Sequence, residues 1–474
     1  MSDAGVDLTT QQREQLGRAA LEWALRYFTQ QTELPVYPTV SASELTARLS
    51  GPLPLDPQDS TQVLAECDEV SRYGRHNGHP RMFGYVQSAG SFAGVVGDLL
   101  ASAINQNVTS WRSAPAATTI EHQVIEWLKM MVGFDSGGEG ILLSGGSFAN
   151  YAGLAAALRA STDVDLNRHG VAALPGPPRI YTSSMSHMSI PKAASMLGIG
   201  KDAVVPIPVD GAFRMDTGAL SDQIATDRAK GLHQVCVVAT AGDVNTGAID
   251  PLDAIADVCA EAGLWLHVDG SYGALAAQSP HVKDAMAAIG RADSLALDPH
   301  KWLYAPLDVG CLMVRKAGAL RRAFSEGAGY IDVVTDREMS DFASWDHSPE
   351  LSRRFRALKI WFILKIHGTR PLQAAIDHNI ETARHLGNLI DASDDFERMA
   401  PAPLSIVCFR ARAADDAFNR KLMVEVQRDG DSYVSNAILN GRFALRACLV
   451  NFRTAPADVE RLLASIRRVI ARLA

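Results

Sequence analysis

Two short stretches hold residues whose types and spacing could do chemistry. Asp298-Pro299-His300-Lys301-Trp302 sets a lysine in a Pro-containing turn, with an imidazole before it and an indole after it. His267-Val268-Asp269-Gly270-Ser271-Tyr272 sets a carboxylate at the end of an apolar run, Leu264-Trp265-Leu266-His267-Val268. Asp269 and Lys301 stand 32 positions apart, enough for one helix and one more strand. In an open α/β sheet this spacing can bring both side chains to the carboxyl edges of neighbouring strands, where ligands bind.

A lysine near a buried carboxylate has two readings. One is a structural ion pair, since ion-pair networks are common. The other is an imine-forming lysine, with the aspartate facing the ring nitrogen of pyridoxal phosphate (PLP), a cofactor that needs both groups. A third element should then hold the phosphate. Gly145-Gly146-Ser147 follows the strand-like Gly140-Ile141-Leu142-Leu143 and opens an Ala-rich helix at Ala149. Backbone N–H groups at a helix start bind phosphate. A lone Gly-Gly-Ser says little; the three elements in this order point to PLP.

The His-Val-Asp and Pro-His-Lys-Trp motifs, in this order, resemble those of the group II PLP-dependent amino-acid decarboxylases, the family of aromatic-L-amino-acid decarboxylase. The resemblance runs from about Leu53 to the C-terminus. It implies an α/β, aspartate-aminotransferase-like fold (PLP-dependent transferase, fold type I) and a homodimer with active sites at the subunit interface. It further implies decarboxylation of an L-amino acid to its amine and CO2, aromatic or hydroxylated aromatic substrates being favoured.

Residue by residue, the resemblance implies that Lys301 carries the imine and that Asp269 pairs with the protonated ring nitrogen. His187, in Ser186-His187-Met188-Ser189-Ile190, would stack on the ring. Gly146, Ser147 and His300 would lie at the phosphate, with Ser88 standing for a family threonine there. Asp298 belongs to the same cofactor-contacting set. Tyr330, in Gly329-Tyr330-Ile331, matches a loop tyrosine that protonates Cα after CO2 leaves. The stretch from about Ser325 to Pro349 lacks a helical or strand period, as active-site lids do. Tyr85 would line the substrate pocket with Val86, while Asn107 and Thr109 would reach in from the second subunit.

The chain departs from the family in places. Gly242-Asp243-Val244 replaces Gly-Thr-Thr, so a hydroxyl is missing at Val244. Asp298 stands where Asn is frequent; a carboxylate repels phosphate, so its side chain is expected to turn away. Asn77, Val86, Asn107 and Thr109 are smaller or more polar than the apolar residues of animal aromatic enzymes. Polar pocket walls need a substrate that pairs them, which leaves polar or acidic substrates open. A PLP-dependent aldehyde synthase is the other alternative; that branch commonly carries Phe in place of the loop tyrosine, so Tyr330 argues against it.

The elements that must position these residues follow from the rest of the chain. Between Gly140 and about Arg315, strand-like runs alternate with helices: Ile141–Leu143, Arg179–Thr182, Ala203–Ile207, Val235–Thr240, Leu264–Val268, Ser294–Leu297 and Gly310–Val314. Pro251–Ala262 is one such helix, with Pro in its first turn. This alternation implies a mostly parallel sheet covered on both faces. A capping box at Thr118 and Glu121 is expected to start a helix ending at Gly133. Residues 1–82 read as a helical segment that wraps a partner subunit, 83–367 as the large PLP-binding domain and 368–474 as a small α/β domain. The cluster Arg353, Arg354, Arg356 and Lys359 reads as a solvated face or a set of interdomain salt bridges on a helix Arg353–Lys365.

Composition excludes other classes. Hydrophobic residues make up 47% of 474 residues, enough for a large core. The net charge of −8 argues against nucleic acid. Six scattered cysteines without a C-x-x-C pair show no zinc pattern and suit a reducing, cytoplasmic setting. No apolar run is long enough for a membrane span, and Met1-Ser2-Asp3-Ala4-Gly5 does not open a signal peptide. No metal is expected.

Overall fold

The computed structural model describes residues 7–134, 137–325, 343–412 and 414–473. Tyr330, the expected proton donor, lies outside the described residues.

A seven-stranded sheet forms the centre. Its strands are β1 (Glu139–Leu143), β2 (Pro178–Ser183), β3 (Val204–Ile207), β4 (His233–Thr240), β5 (Trp265–Asp269), β6 (Ser294–Leu297) and β7 (Gly310–Val314). They lie in the order β1-β7-β6-β5-β4-β2-β3. The pairs β2–β3, β2–β4, β4–β5 and β5–β6 are parallel, whereas β7 runs antiparallel to both β1 and β6. The sheet is therefore mostly parallel, as expected. Covered on both faces, its strands read as near-continuous apolar runs; every residue of β6 and β7 is buried.

The helices of eight residues or more are α1 (Thr10–Gln30), α2 (Ala42–Leu49), α3 (Ser60–Arg72), α4 (Phe92–Ile104), α5 (Pro115–Val132), α6 (Gly146–Ala160), α7 (Ser189–Met196), α8 (Thr217–Ala229), α9 (Leu252–Ala262), α10 (Ala357–His367), α11 (Thr369–Asp391), α12 (Asp416–Asp429) and α13 (Pro456–Leu473). A second sheet, β10-β11-β9-β8, is built from β8 (Phe396–Arg398), β9 (Ile406–Ala411), β10 (Ser435–Leu439) and β11 (Arg442–Cys448). It is antiparallel throughout and packs against α11 and α12, with α13 sharing the same hydrophobic cluster.

Two expectations need correction. The helix α5 starts at Pro115, whose missing N–H suits the first helical position, and not at a Thr118–Glu121 capping box. Thr118 instead donates to the Ser110 carbonyl at 3.1 Å, and Glu121 is paired with Arg353 in the interior. Of the basic cluster only Arg354 is exposed, 3.3 Å from Asp98. Arg353 is fully buried against Glu121, Lys359 is buried against Asp98 at 2.9 Å, and Arg356 pairs with Glu350 at 2.6 Å. Helix α10 accordingly begins at Ala357, leaving Arg353 in the preceding segment. The Lys359–Asp98 and Arg353–Glu121 pairs tie α10 and the segment before it to α4 and α5.

The N-terminal helices are different in kind. None of α1, α2 and α3 contains a buried residue. Trp23 donates to Asp68 at 2.7 Å, and Phe28 meets Phe92 edge-on at 5.2 Å. Leu21, Leu25, Leu53, Leu55, Val63 and Val70 stay exposed.

Candidate active site

The carboxyl ends of β4, β5 and β6 converge on one cavity of about 430 Å3. Strand β5 ends in Asp269, which lies at the cavity wall and is 6% exposed. After β6 the chain makes a short helical turn, Pro299–Trp302, with Pro at its first position, and this turn delivers Lys301. Helix α6 points its N-terminus into the same space at Gly146 and Ser147. The first helical hydrogen bond there runs from Phe148 N to Gly145 O at 3.0 Å, so the N–H groups of Gly146 and Ser147 precede the helical ladder.

The lysine and the two carboxylates divide their roles. Lys301 Nζ lies 3.0 Å from Asp298 Oδ2, and His300 Nε2 lies 3.6 Å from the same oxygen. The Asp298 side chain thus faces the cavity, contrary to the expected outward turn, because the lysine ammonium draws it in. Asp269 instead accepts from Asn150 Nδ2 at 2.9 Å and from the Ser271 N–H at 3.1 Å. Burial pushes the Asp269 carboxyl up, but the donors of Ser271 and the charge of Lys301 outweigh it and hold it below the usual carboxylate range.

His187 and His300 line the cavity. His187 Nδ1 sits 2.9 Å from Ser189 Oγ and 3.2 Å from Ser189 N. His300 Nδ1 donates to the Val309 carbonyl at 2.7 Å. Burial pushes the pKa of each below the ordinary histidine value, so both are neutral at neutral pH.

The remaining expected residues separate. Tyr85 and Val86 line the cavity. The Arg75 guanidinium covers the Tyr85 ring at 4.6 Å, and the Tyr85 hydroxyl is 3.4 Å from that of Tyr433. Ser88 does not line the cavity; its hydroxyl donates to the His300 carbonyl at 2.9 Å and braces the lysine turn. Asn107 and Thr109 lie away from this chain's cavity, with Asn107 Oδ1 accepting from Arg353 N at 2.7 Å. Asn77 accepts from Arg75 Nε at 3.1 Å. Val244 lines the cavity without a hydroxyl.

Sequence reasoning missed several lining residues, among them Asn150, Thr240 and Arg446. Arg446 is 7% exposed and donates to Val244 O at 2.6 Å and to Ser435 Oγ at 3.0 Å. A charged residue in the middle of the apolar run Phe443-Ala444-Leu445-Arg446-Ala447-Cys448 was the available signal.

The pyridoxal-dependent decarboxylase conserved domain matches residues 44–412. The chain belongs to this decarboxylase family. An aromatic-L-amino-acid decarboxylase of Bacillus atrophaeus is 34% identical over 470 residues, covering 98% of this chain and 96% of that protein. A 4-hydroxyphenylacetaldehyde synthase of Rhodiola rosea is 29% identical, covering 96% and 94%. The crystal structure of Oryza sativa TDC with PLP and tryptamine superposes with a TM-score of 0.90 at 27% identity, covering 98% of this chain and 99% of that one. The protein is a PLP-dependent amino-acid decarboxylase of fold type I.

The residues present fit the cofactor of this decarboxylase family. A Cβ on Gly146 would lie 2.7 Å from Asp298 Oδ2, so only glycine leaves room at the phosphate end. Thr240 Oγ1 and Asp298 Oδ1 are buried with no hydrogen-bond partner among the described residues. One amine, one ionised carboxylate and one helix N-terminus match the aldehyde, the ring nitrogen and the phosphate of PLP. Among the described residues no group of three His, Cys, Asp or Glu is placed to hold a metal ion, and no helix is long and apolar enough to cross a membrane.

Proposed function

We propose that this decarboxylase acts on an L-amino acid with an aromatic or hydroxylated aromatic side chain. The observation that carries this reading is the charge inventory of the cavity. With His187 and His300 neutral, its cations among the described residues are Lys301 and Arg446. Lys301 is committed to imine formation, so Arg446 remains to pair one carboxylate. A second substrate carboxylate would meet no further cation among the described residues and would be costly to bury unpaired. The names of the relatives at 34% and 29% identity support an aromatic substrate.

Each residue then has a task. With PLP bound, Lys301 would hold it through its amine, and Asp298 Oδ2, 3.0 Å away, could take a proton from Nζ as the lysine adds and return it when the substrate amine takes its place. Asp269 stays ionised and holds the proton on the ring nitrogen. The N–H groups of Gly146 and Ser147 would bind the phosphate, and His187 would pack over the ring. PLP, when bound, supplies the sink for the electron pair released as CO2 departs. Arg446 orients the carboxylate that is lost, and Tyr330 gives the proton to Cα.

We further propose a homodimer with the active sites at the subunit interface. Helices α1–α3, with no buried residue and a row of exposed Leu and Val side chains, cannot form a core alone. A second copy of this chain would cover them and bring its Asn107 and Thr109 to the cavity.

The test is a product assay. PLP-loaded protein is incubated in air with aromatic, acidic and basic L-amino acids, and products are read by mass spectrometry. An aromatic amine lighter by CO2 is expected, and Lys301→Ala should abolish it. A product from an acidic amino acid alone would overturn the substrate reading. A second reading, aldehyde synthase, is favoured by the Rhodiola rosea relative and by Val244 at the cavity; aldehyde with peroxide would identify it.

A further inference from the structure

Behind Asp269 a chain of side chains runs from the half-buried Trp265 through the sheet interior to the cavity. Trp265 Nε1 donates to Ser294 Oγ at 2.8 Å. Ser294 Oγ lies 2.7 Å from His267 Nδ1, and His267 Nε2 lies 3.0 Å from Asn150 Oδ1. Asn150 Nδ2 reaches Asp269 Oδ2 at 2.9 Å and Ser189 Oγ at 2.9 Å. Ser189 Oγ in turn meets His187 Nδ1 at 2.9 Å. Asn150, His267 and Ser294 are each 1% exposed or less.

The ends of the chain dictate its sense. An ionised carboxylate only accepts, so Asn150 must turn its NH2 to Asp269 and its carbonyl to His267. The reverse amide orientation would set an oxygen against the Asp269 carboxylate. His267 must then donate from Nε2. Full burial keeps its ring neutral, its pKa pushed down to about 4, so Nδ1 is bare and accepts from Ser294. At the far end the Trp265 indole only donates, which leaves the Ser294 hydroxyl hydrogen free for His267. Both ends require the same direction.

The branch at Ser189 follows the same logic. Asn150 donates to Ser189 Oγ, whose hydrogen goes to His187 Nδ1, already facing the Ser189 N–H at 3.2 Å. The proton of neutral His187 therefore sits on Nε2. The fold makes room for this arrangement. Asn150 and Gly153 lie one turn apart on α6, and a Cβ on Gly153 would stand 2.7 Å from His267 Nδ1.

We propose that Trp265, Ser294, His267 and Asn150 form a one-way hydrogen-bond relay that holds Asp269 and sets the tautomer of His187, with Asn150 as the positioning residue at its branch. Asn150 uses its whole amide: two N–H donors and one carbonyl, each engaged. Its consequence for cofactor binding rests on the role proposed above for Asp269; its consequence for the histidine tautomers does not.

The experiment is nitrogen-15 NMR of histidine-labelled protein, wild type first, as holoenzyme and with PLP removed. His267 and His187 should each show a protonated Nε2 and a bare Nδ1 throughout the neutral range. A proton on Nδ1 of His267, or a doubly protonated ring, overturns the relay. Asn150→Ala should weaken PLP binding by about ten- to a hundredfold, the usual loss for a buried charge-assisted hydrogen bond or a supporting partner. It should also move the pH at which the cofactor's visible band titrates, which mere loss of stability would not do. His267→Gln, whose amide nitrogen can stand in for Nε2, should retain most of the affinity, and equal loss in that variant would overturn the relay. Unchanged PLP affinity and band in Asn150→Ala would likewise overturn it. Should Lys301→Ala keep full turnover while the tautomers stand as stated, the reading of function fails and the relay survives.

Discussion

Arg446 offers the sharpest test of how the substrate is held. Its guanidinium donates to the carbonyls of Val244 and Gly84, at 2.6 and 3.4 Å, and to Ser435 Oγ at 3.0 Å. These anchors fix its direction, and at 7% exposure little water competes for it. A hydrogen bond to a charged group contributes about 1.5–3 kcal/mol, so Arg446→Met should lower kcat/KM by about ten- to a hundredfold, since each 1.4 kcal/mol is about tenfold. The carboxylate is bound before it leaves, so the loss should fall mainly on KM. The assay is steady-state decarboxylation at saturating PLP, with the product amine run beside it as an inhibitor. The amine has no carboxylate, and its inhibition constant should stay unchanged. An equal fall in affinity for substrate and amine would refute the pairing, because Arg446 would then act through the shape of the Val244 turn. Thermal melting run in parallel separates the cost of three orphaned acceptors, each about 1–3 kcal/mol if left unpaired.

Other consequences are open to simpler measurement. His267 has a folded pKa pushed by burial from 6.5 to about 4, opposed only in part by the Asp269 charge. Between those values the unfolded chain binds the proton and the folded chain does not, so stability present above pH 6.5 is lost as pH falls toward 4. The loss is about 3 kcal/mol, and His267→Gln should flatten that part of the pH-denaturation curve. Arg353→Met leaves the Glu121 carboxylate alone in the interior and should destabilise the fold by about 3–5 kcal/mol in urea titrations. The double variant Glu121→Gln/Arg353→Met should recover much of that loss, as replacing both partners of a buried pair often does. Gly153→Ala forces a methyl group against the His267 ring and should cost about 1–3 kcal/mol, with PLP affinity falling as the ring is displaced.

The part of this site legible in the sequence is the part carried by neighbours in the chain. Lys301 and Asp269 sit in motifs, and the alternation of strands and helices brings their elements to one sheet edge without knowledge of any distant contact. Strands β6 and β7 were readable to the residue because strands buried on both faces are apolar without interruption. Strand β10 escaped because its burial alternates, with Asn436 and Ile438 exposed, and its apolar signal is diluted accordingly. Asp298 was misjudged for a related reason. Its direction is set by the Lys301 ammonium at 3.0 Å, and repulsion from a phosphate was weighed alone. Arg446 and Asn150 are invisible because partners of each stand far off in the chain, Val244 202 positions from the one and His267 117 from the other. A polar residue buried on an apolar element is what such a distant partner looks like from within the sequence. Asn150 on the Ala-rich helix α6 and Arg446 within β11 are two such residues, and both face the cavity. An unexplained polar residue on a buried face is therefore a pointer to the site, since burying it without partners would cost more than the fold could bear.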